Sequence, residues 1–177
     1  EAAAKDSVDF MKPILPQVTE SNPQVVIVVG AGLAVKNAVL AMRAVGSTAR
    51  IATMSNNASN AFIKLMEPNE RGVIVSQVFP DEKSFTHPFV REAQMMAYKK
   101  KITLTPGMME GFAAAKVAVK GLQGAGGSPT RASLHKSLES MRSFDLGGML
   151  ISFTPSDHSG LDITDLSIIT KEKSFLR

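Results

Sequence analysis

The chain has 177 residues, 44% of them hydrophobic and 20% charged, with no cysteine and a formal net charge of +4 at pH 7. These proportions belong to a globular protein and exclude a disordered or fibrous chain. Without cysteine there are no thiolate zinc sites or thiol nucleophiles, and the apolar run around Val25 to Val29 is far short of the roughly 20 residues of a membrane span, so no membrane insertion is expected.

From Val8 to Val18, the apolar residues Val8, Phe10, Met11, Ile14, Leu15 and Val18 recur at helical spacing, with Asp9 placed to cap the helix. Pro13 and Pro16 strain that helix, and Asn22-Pro23 breaks the chain after it. Gln24 to Val29 is a continuous β-branched run, the pattern of a strand covered on both faces. Gly30-Ala31-Gly32 turns that strand into a helix from Leu33 to Val45, which Gly46 ends. Arg50 to Met54 reads as the next strand, Asn60 to Met66 as a short helix and Gly72 to Val78 as a third strand. This alternation predicts an α/β fold, a parallel sheet with right-handed crossovers and flanking helices.

Beyond Pro80 the predicted elements are helices over 88–100, 106–123 and 130–143, with Gly124 to Pro129 as a flexible joint. The helix around Glu110 carries Met109, Phe112, Ala113, Val117 and Leu122 beside several alanines and is expected to pack closely on a sheet. The only cationic run, Lys99-Lys100-Lys101, ends a predicted helix, where cations are favoured by the helix dipole. With 6% aromatic residues and no tryptophan there is no stacking platform for bases, and no nucleic-acid partner is expected. Met149 to Phe153 alternates as a strand, Pro155 to Gly160 reads as a turn, and Ile163 to Thr170 closes as a final strand.

Two segments carry the candidate site. Gly30, Ala31 and Gly32 lie between an apolar strand and a helix, where small residues leave backbone amides open to an anionic group; the competing reading is a tight turn that needs glycine. The dinucleotide fingerprint fails at its third glycine, which is Val35, and no ribose-binding acid follows the second strand. Ser55, Asn56 and Asn57 sit at the C-terminal end of the second strand, where ligands collect in parallel α/β sheets, or else form a polar turn and helix cap. Asp157, His158 and Ser159 are read as part of a turn rather than as a hydrolase triad. His87 and His135 stand alone on predicted helices, so no metal and no cofactor is expected.

Four segments in register resemble one family: Gly72-Val73-Ile74-Val75-Ser76-Gln77-Val78-Phe79-Pro80; Met109-Glu110-Gly111-Phe112-Ala113-Ala114-Ala115-Lys116; Thr130-Arg131-Ala132-Ser133-Leu134; and Phe144-Asp145-Leu146-Gly147-Gly148 with the strand and turn after it. The chain resembles the C-terminal half of the type I periplasmic solute-binding proteins, the branched-chain amino acid receptors of ABC importers. The resemblance implies two incomplete lobes joined by hinge strands at Phe79-Pro80 and Phe153-Thr154-Pro155: residues 1–78 in the second lobe, 79–152 in the first, 153–177 returning to the second. It further implies a non-enzymatic, exported, periplasmic receptor that closes on a small-molecule ligand and docks on ABC transporter membrane subunits. Glu1-Ala2-Ala3-Ala4-Lys5 has no secretory signal character, and the expected companion is an N-terminal half, or a homodimer partner that substitutes for it. The resemblance implies a small organic ligand, amino-acid-like or a carboxylate or aromatic compound; in amino-acid-binding relatives an acid faces the ligand's ammonium where this chain has Ser55, a departure that points away from a simple amino acid to a neutral or anionic, bulkier compound. A nucleotide- or dinucleotide-binding enzyme domain and a sensory domain of the same fold are the alternatives.

Overall fold

The prolines decide how the chain begins. In the computed structural model, which describes residues 2–177, the first helical stretch is two helices, α1 (Ala2–Met11) and α2 (Leu15–Ser21). Pro13 cannot donate to a helix interior and separates them, whereas Pro16 occupies the first turn of α2, where an amide is dispensable. Asp9 therefore lies within α1 rather than capping it, and pairs with Lys12 at 3.1 Å.

The elements that follow are β1 (Val25–Val28), α3 (Gly32–Ala44), β2 (Arg50–Thr53), a 3-10 turn (Ser55–Asn57), α4 (Asn60–Leu65) and β3 (Ile74–Gln77). Then come α5 (Pro88–Lys100), α6 (Pro106–Gly124), α7 (Arg131–Glu139), β4 (Phe144–Asp145), β5 (Leu150–Thr154), β6 (Asp157–Gly160), β7 (Asp165–Ile169) and β8 (Phe175–Leu176). They form two compact units: residues up to Gln77 with Asp165–Arg177, and Val78–Thr164.

The first unit is built on a five-stranded sheet of order β1-β2-β3-β7-β8. β1, β2 and β3 run parallel, whereas β7 pairs antiparallel with β3 and β8 antiparallel with β7. Side chains alternate across the sheet. Ile51, Val73, Val75, Ile169 and Phe175 point into one core with Val35, Val39 and Met42 of α3, Phe62 and Ile63 of α4, and Leu15 of α2, and Val26 and Val28 pack against it. The expectation that β1 is covered on both faces does not hold. Val25, Ile27 and the following Val29 are 49%, 70% and 77% exposed, because the helices of this unit gather on the Val26 and Val28 side. At the far end of β3, buried Gln77 donates to Ser167 Oγ (2.7 Å), which donates in turn to the Val75 carbonyl (3.1 Å).

The second unit packs α5, α6 and α7 with a three-stranded antiparallel sheet of order β4-β5-β6. Its core comprises Phe79, Phe89, Val90, Met109, Ala113, Met141, Leu146, Met149 and Ile151. α6 starts where Thr105 accepts a hydrogen bond from the Met108 amide, with Pro106 in the first turn; α7 starts with a reciprocal cap between Thr130 and Ser133. Of the residues expected on the buried face of α6, Leu122 is instead 43% exposed. The Asp145-Leu146-Gly147-Gly148 segment is a tight turn: Asp145 Oδ1 accepts the Gly147 and Gly148 amides at 2.8 and 2.6 Å. Those two amides, Gly147 first, hold the Asp145 carboxyl below its ordinary value of 3.8. Gly147 has φ +111° and its carbonyl accepts the Phe89 amide at 3.1 Å.

The segment Phe153-Thr154-Pro155 is not a crossing between units. β5 turns back at Pro155 into β6, which had been expected to be a turn, and the chain returns to the first unit at Thr164–Asp165.

Candidate functional site

Two connections meet at the C-terminal ends of β1 and β2. The β1 connection is Val29 to Ala31. Ala31 is the N-cap of α3 and has extended backbone (φ −72°, ψ 158°), and no side chain caps the helix there. Its carbonyl accepts the Ala34 and Val35 amides at 2.9 and 3.1 Å. The first amides of a helix have no intrahelical acceptor, so those of Gly32 and Leu33 head a 13-residue helix at the end where its dipole favours negative charge. The requirement for a glycine turn is absent here, since neither Gly30 nor Gly32 has positive φ. A Cβ at either position would meet neighbours at 3.4 Å or more.

The β2 connection is the 3-10 turn. Asn56 Nδ2 and Asn57 Nδ2 both donate to the Gly30 carbonyl, at 3.2 and 3.0 Å. Asn57 is 3% exposed and also donates to Thr53 Oγ1 (3.0 Å), which donates to the Val28 carbonyl (2.9 Å). Asn57 therefore binds the two loops together, and the structure brings Gly30, Ala31 and Gly32 beside Asn56 and Asn57. Ser55 spends its carbonyl on the Ala58 amide at 2.8 Å; among the described residues its hydroxyl has no hydrogen-bond partner. Apolar surface flanks these groups, with Leu33 and Met54 61% and 45% exposed. Val35, where a dinucleotide fingerprint needs glycine, is fully buried in the core.

The remaining sequence candidates lie elsewhere. Asp157 Oδ1 accepts the Ser159 amide at 2.9 Å, while His158 Nε2 faces Glu139 Oε1 at 3.2 Å, so the three consecutive residues do not converge as a triad. His135 does not stand alone: it contacts the other oxygen of Glu139 at 3.4 Å and its ring lies edge-on to that of His158. The four-residue spacing of His135 and Glu139 was the available signal; the contribution of His158 depends on the β5–β6 hairpin. Among the described residues no group of three or more His, Cys, Asp or Glu side chains can hold a metal ion, and no helix is long and apolar enough to cross a membrane.

The model of the periplasmic binding protein family matches residues 3–166. The chain belongs to the periplasmic binding protein family. Its mixed sheet with flanking helices is the type I fold of that family. Similar solved structures include a possible leucine/isoleucine/valine-binding protein from Rhodopirellula baltica, 24% identical with a TM-score of 0.74, covering 88% of this chain and 43% of that one. An extracellular ligand-binding receptor from Verminephrobacter eiseniae is 22% identical with a TM-score of 0.75, covering 99% and 48%. A leucine binding protein from Thermotoga maritima is 14% identical with a TM-score of 0.76, covering 94% and 47%. The chain spans about half the length of these periplasmic binding protein structures. No curated protein sequence matches it.

Proposed function

We propose that this chain is part of a periplasmic, non-enzymatic solute receptor of an ABC importer, and that Gly30, Ala31, Gly32, Ser55 and Asn56 contact its ligand. The observation that carries the reading is the family match over residues 3–166. In this reading the unit ending at Gln77, with its return at Asp165, is one share of the second lobe, and Val78–Thr164 is one share of the first. The ligand is held between the lobes, and its contacts with both drive closure, since only differential affinity for the closed state can shift that equilibrium. The closed form then docks on the importer's membrane subunits.

The local chemistry supports a carboxylate-bearing ligand with an apolar body. The amides of Gly32 and Leu33 suit a carboxylate, the Ser55 hydroxyl and Asn56 offer polar contacts, and Leu33 and Met54 offer apolar ones. Leucine, isoleucine and valine, all three named by one matched structure and leucine by a second, are the first compounds to test, with aromatic acids and dicarboxylates beside them. Ser55 brings no charge to oppose an ammonium group, so carboxylates lacking one are expected to compete with the amino acids.

Thermal unfolding of the complete gene product with each compound tests this. A ligand at a hundred times its Kd adds about 2.7 kcal/mol, so binding raises Tm, and Ser55→Ala with Asn56→Ala lowers the rise. No shift with any compound refutes the proposal.

A further inference from the structure

The second unit carries an aromatic and cationic face that its core does not use. Tyr98, the chain's single tyrosine, and Phe85 are the most exposed large hydrophobic side chains of this unit, at 85% and 75%. Helical spacing puts Arg91, Met95 and Tyr98 on one face of α5, opposite Phe89, Val90, Ala93 and Ala97, which are buried. Phe85 approaches that face from the loop before the helix. With Gln94 and Lys99, these side chains line an open groove of about 660 Å³.

The loop that holds Phe85 is tied to α5 and folded on itself. Gln94 Nε2 donates to the Glu82 carbonyl at 2.8 Å, Asp81 Oδ1 accepts the Lys83 amide at 2.9 Å, and the Asp81 carbonyl accepts the Ser84 amide at 2.9 Å. The charged side chains lining the groove, Arg91 and Lys99, are both cations, and Lys100 and Lys101 follow at the end of the helix. Glu92, the one acid of α5, is paired with Lys116 of α6, and among the described residues no acid pairs with Arg91, Lys99, Lys100 or Lys101. The helix dipole accounts for the three lysines at the C-terminal end. It does not account for Arg91, which lies near the N-terminal end, where the dipole disfavours a cation.

We propose that this face docks on the surface of an anionic phospholipid membrane, as a peripheral contact. A tyrosine has an apolar ring and a polar tip, which suit the boundary between headgroups and acyl chains. Phe85 and Met95 supply apolar surface beside it, while Arg91 and Lys99 extend their charges to the headgroup phosphates along apolar stems. Each cation held near an anionic lipid surface strengthens binding roughly fivefold. A second copy of this chain is a poor occupant, because a symmetric pairing sets Arg91 and Lys99 against their own copies. A dry protein interface also fits poorly, since lysine is depleted in such interfaces and burying unpaired cations is costly. The proposal goes beyond the receptor reading and involves no solute: it confines the protein to a membrane surface.

The test mixes the complete gene product, without solute, with vesicles of phosphatidylcholine alone or of phosphatidylcholine with phosphatidylglycerol, and measures co-sedimentation at low and at high salt. Binding is expected only to the vesicles that contain phosphatidylglycerol, and salt weakens it because exposed charges are screened. Arg91→Gln with Lys99→Gln is expected to weaken binding about twentyfold, and Phe85→Ser with Tyr98→Ser on the order of tenfold. Arg131→Gln with Lys171→Gln removes the same charge from exposed positions elsewhere and is expected to leave binding within about threefold of wild type. Tyr98→Trp adds a local readout, an emission that shifts to the blue with the anionic vesicles. Circular dichroism checks that each variant is folded. No binding to the anionic vesicles, equal binding to the neutral ones, equal losses from the two charge pairs, or retention on polyglutamate in place of vesicles, which would assign the face to an acidic protein, would each overturn the proposal. Such a failure leaves the solute-receptor reading standing, and a failed ligand screen leaves this proposal standing.

Discussion

Gly147→Ala and Gly148→Ala, compared side by side, separate backbone strain from steric collision. Both glycines lie in the left-handed half of conformational space, at φ +111° and +91°. An alanine at either site therefore incurs a conformational cost of about 1–2 kcal/mol. At Gly148 the added Cβ would meet only Pro88 Cδ, at 3.7 Å, an ordinary contact. At Gly147 it would lie 2.8 Å from the Phe89 backbone nitrogen and 3.1 Å from Phe89 Cα. Backbone at the start of α5 cannot swing aside as a side-chain tip can, and Phe89 is fully buried against Phe79 and Phe112. Overpacking of this kind adds about 1–3 kcal/mol, and displacement of Phe89 endangers the Gly147–Phe89 hydrogen bond as well. The expected loss is about 1–2 kcal/mol for Gly148→Ala and about 3–5 kcal/mol for Gly147→Ala. Urea unfolding followed by hydrogen exchange of the α5 amides measures both and assigns the loss to the second unit. Equal losses, or a larger loss at Gly148, would refute the claim that close approach of backbone at Phe89 requires the first glycine.

Two further predictions concern the loops and the Asp145 turn. Asn57→Ala removes the hydrogen bonds donated to the Gly30 carbonyl and to Thr53 Oγ1 from a buried site, and because Asn56 still reaches the Gly30 carbonyl the expected destabilisation is about 1–2 kcal/mol, read by thermal or urea unfolding; a change under about 0.5 kcal/mol would mean that Asn57 does not hold the loops together. Asp145, whose carboxyl is held below 3.8 by the Gly147 and Gly148 amides, contributes stability that is present above that value and is lost as the pH falls through its lower folded-state value. Wild type is therefore expected to lose more stability between pH 5 and pH 3 than Asp145→Asn, in urea titrations at each pH, and parallel pH profiles would contradict this.

The elements with a strong local cause were legible in the sequence. Helices α5 and α6 begin at Pro88 and Pro106, as a proline in the first turn predicts, and the three parallel strands follow the apolar runs that marked them. The convergence of Gly30 to Gly32 with Asn56 and Asn57 was legible as well, because consecutive parallel strands bring their C-terminal connections side by side. What stayed hidden depends on partners distant in sequence. The two-residue strands β4 and β8 exist through pairing with β5 and β7, and β6 hides in a stretch whose proline, serine and glycine read as a turn. The buried cross-link made by Asn57 was equally invisible, since an exposed and a buried asparagine look alike until the carbonyl of Gly30 is in place. The exposed side of β1 was misread because a β-branched run announces burial on both faces, whereas the helices of this unit gather on one of them.

Gln77 and Asp165 stand on the same rung of the β3–β7 ladder, so the whole second unit is an insert in the loop of an antiparallel hairpin. While the insert is folded, that hairpin has a structured closure. Should the insert unfold, residues 78–164 become a slack tether, and closing it costs about 3 kcal/mol more than closing a two-residue turn. Damage confined to the inserted residues is thereby felt as a weakened β3–β7 pairing, through chain connectivity alone.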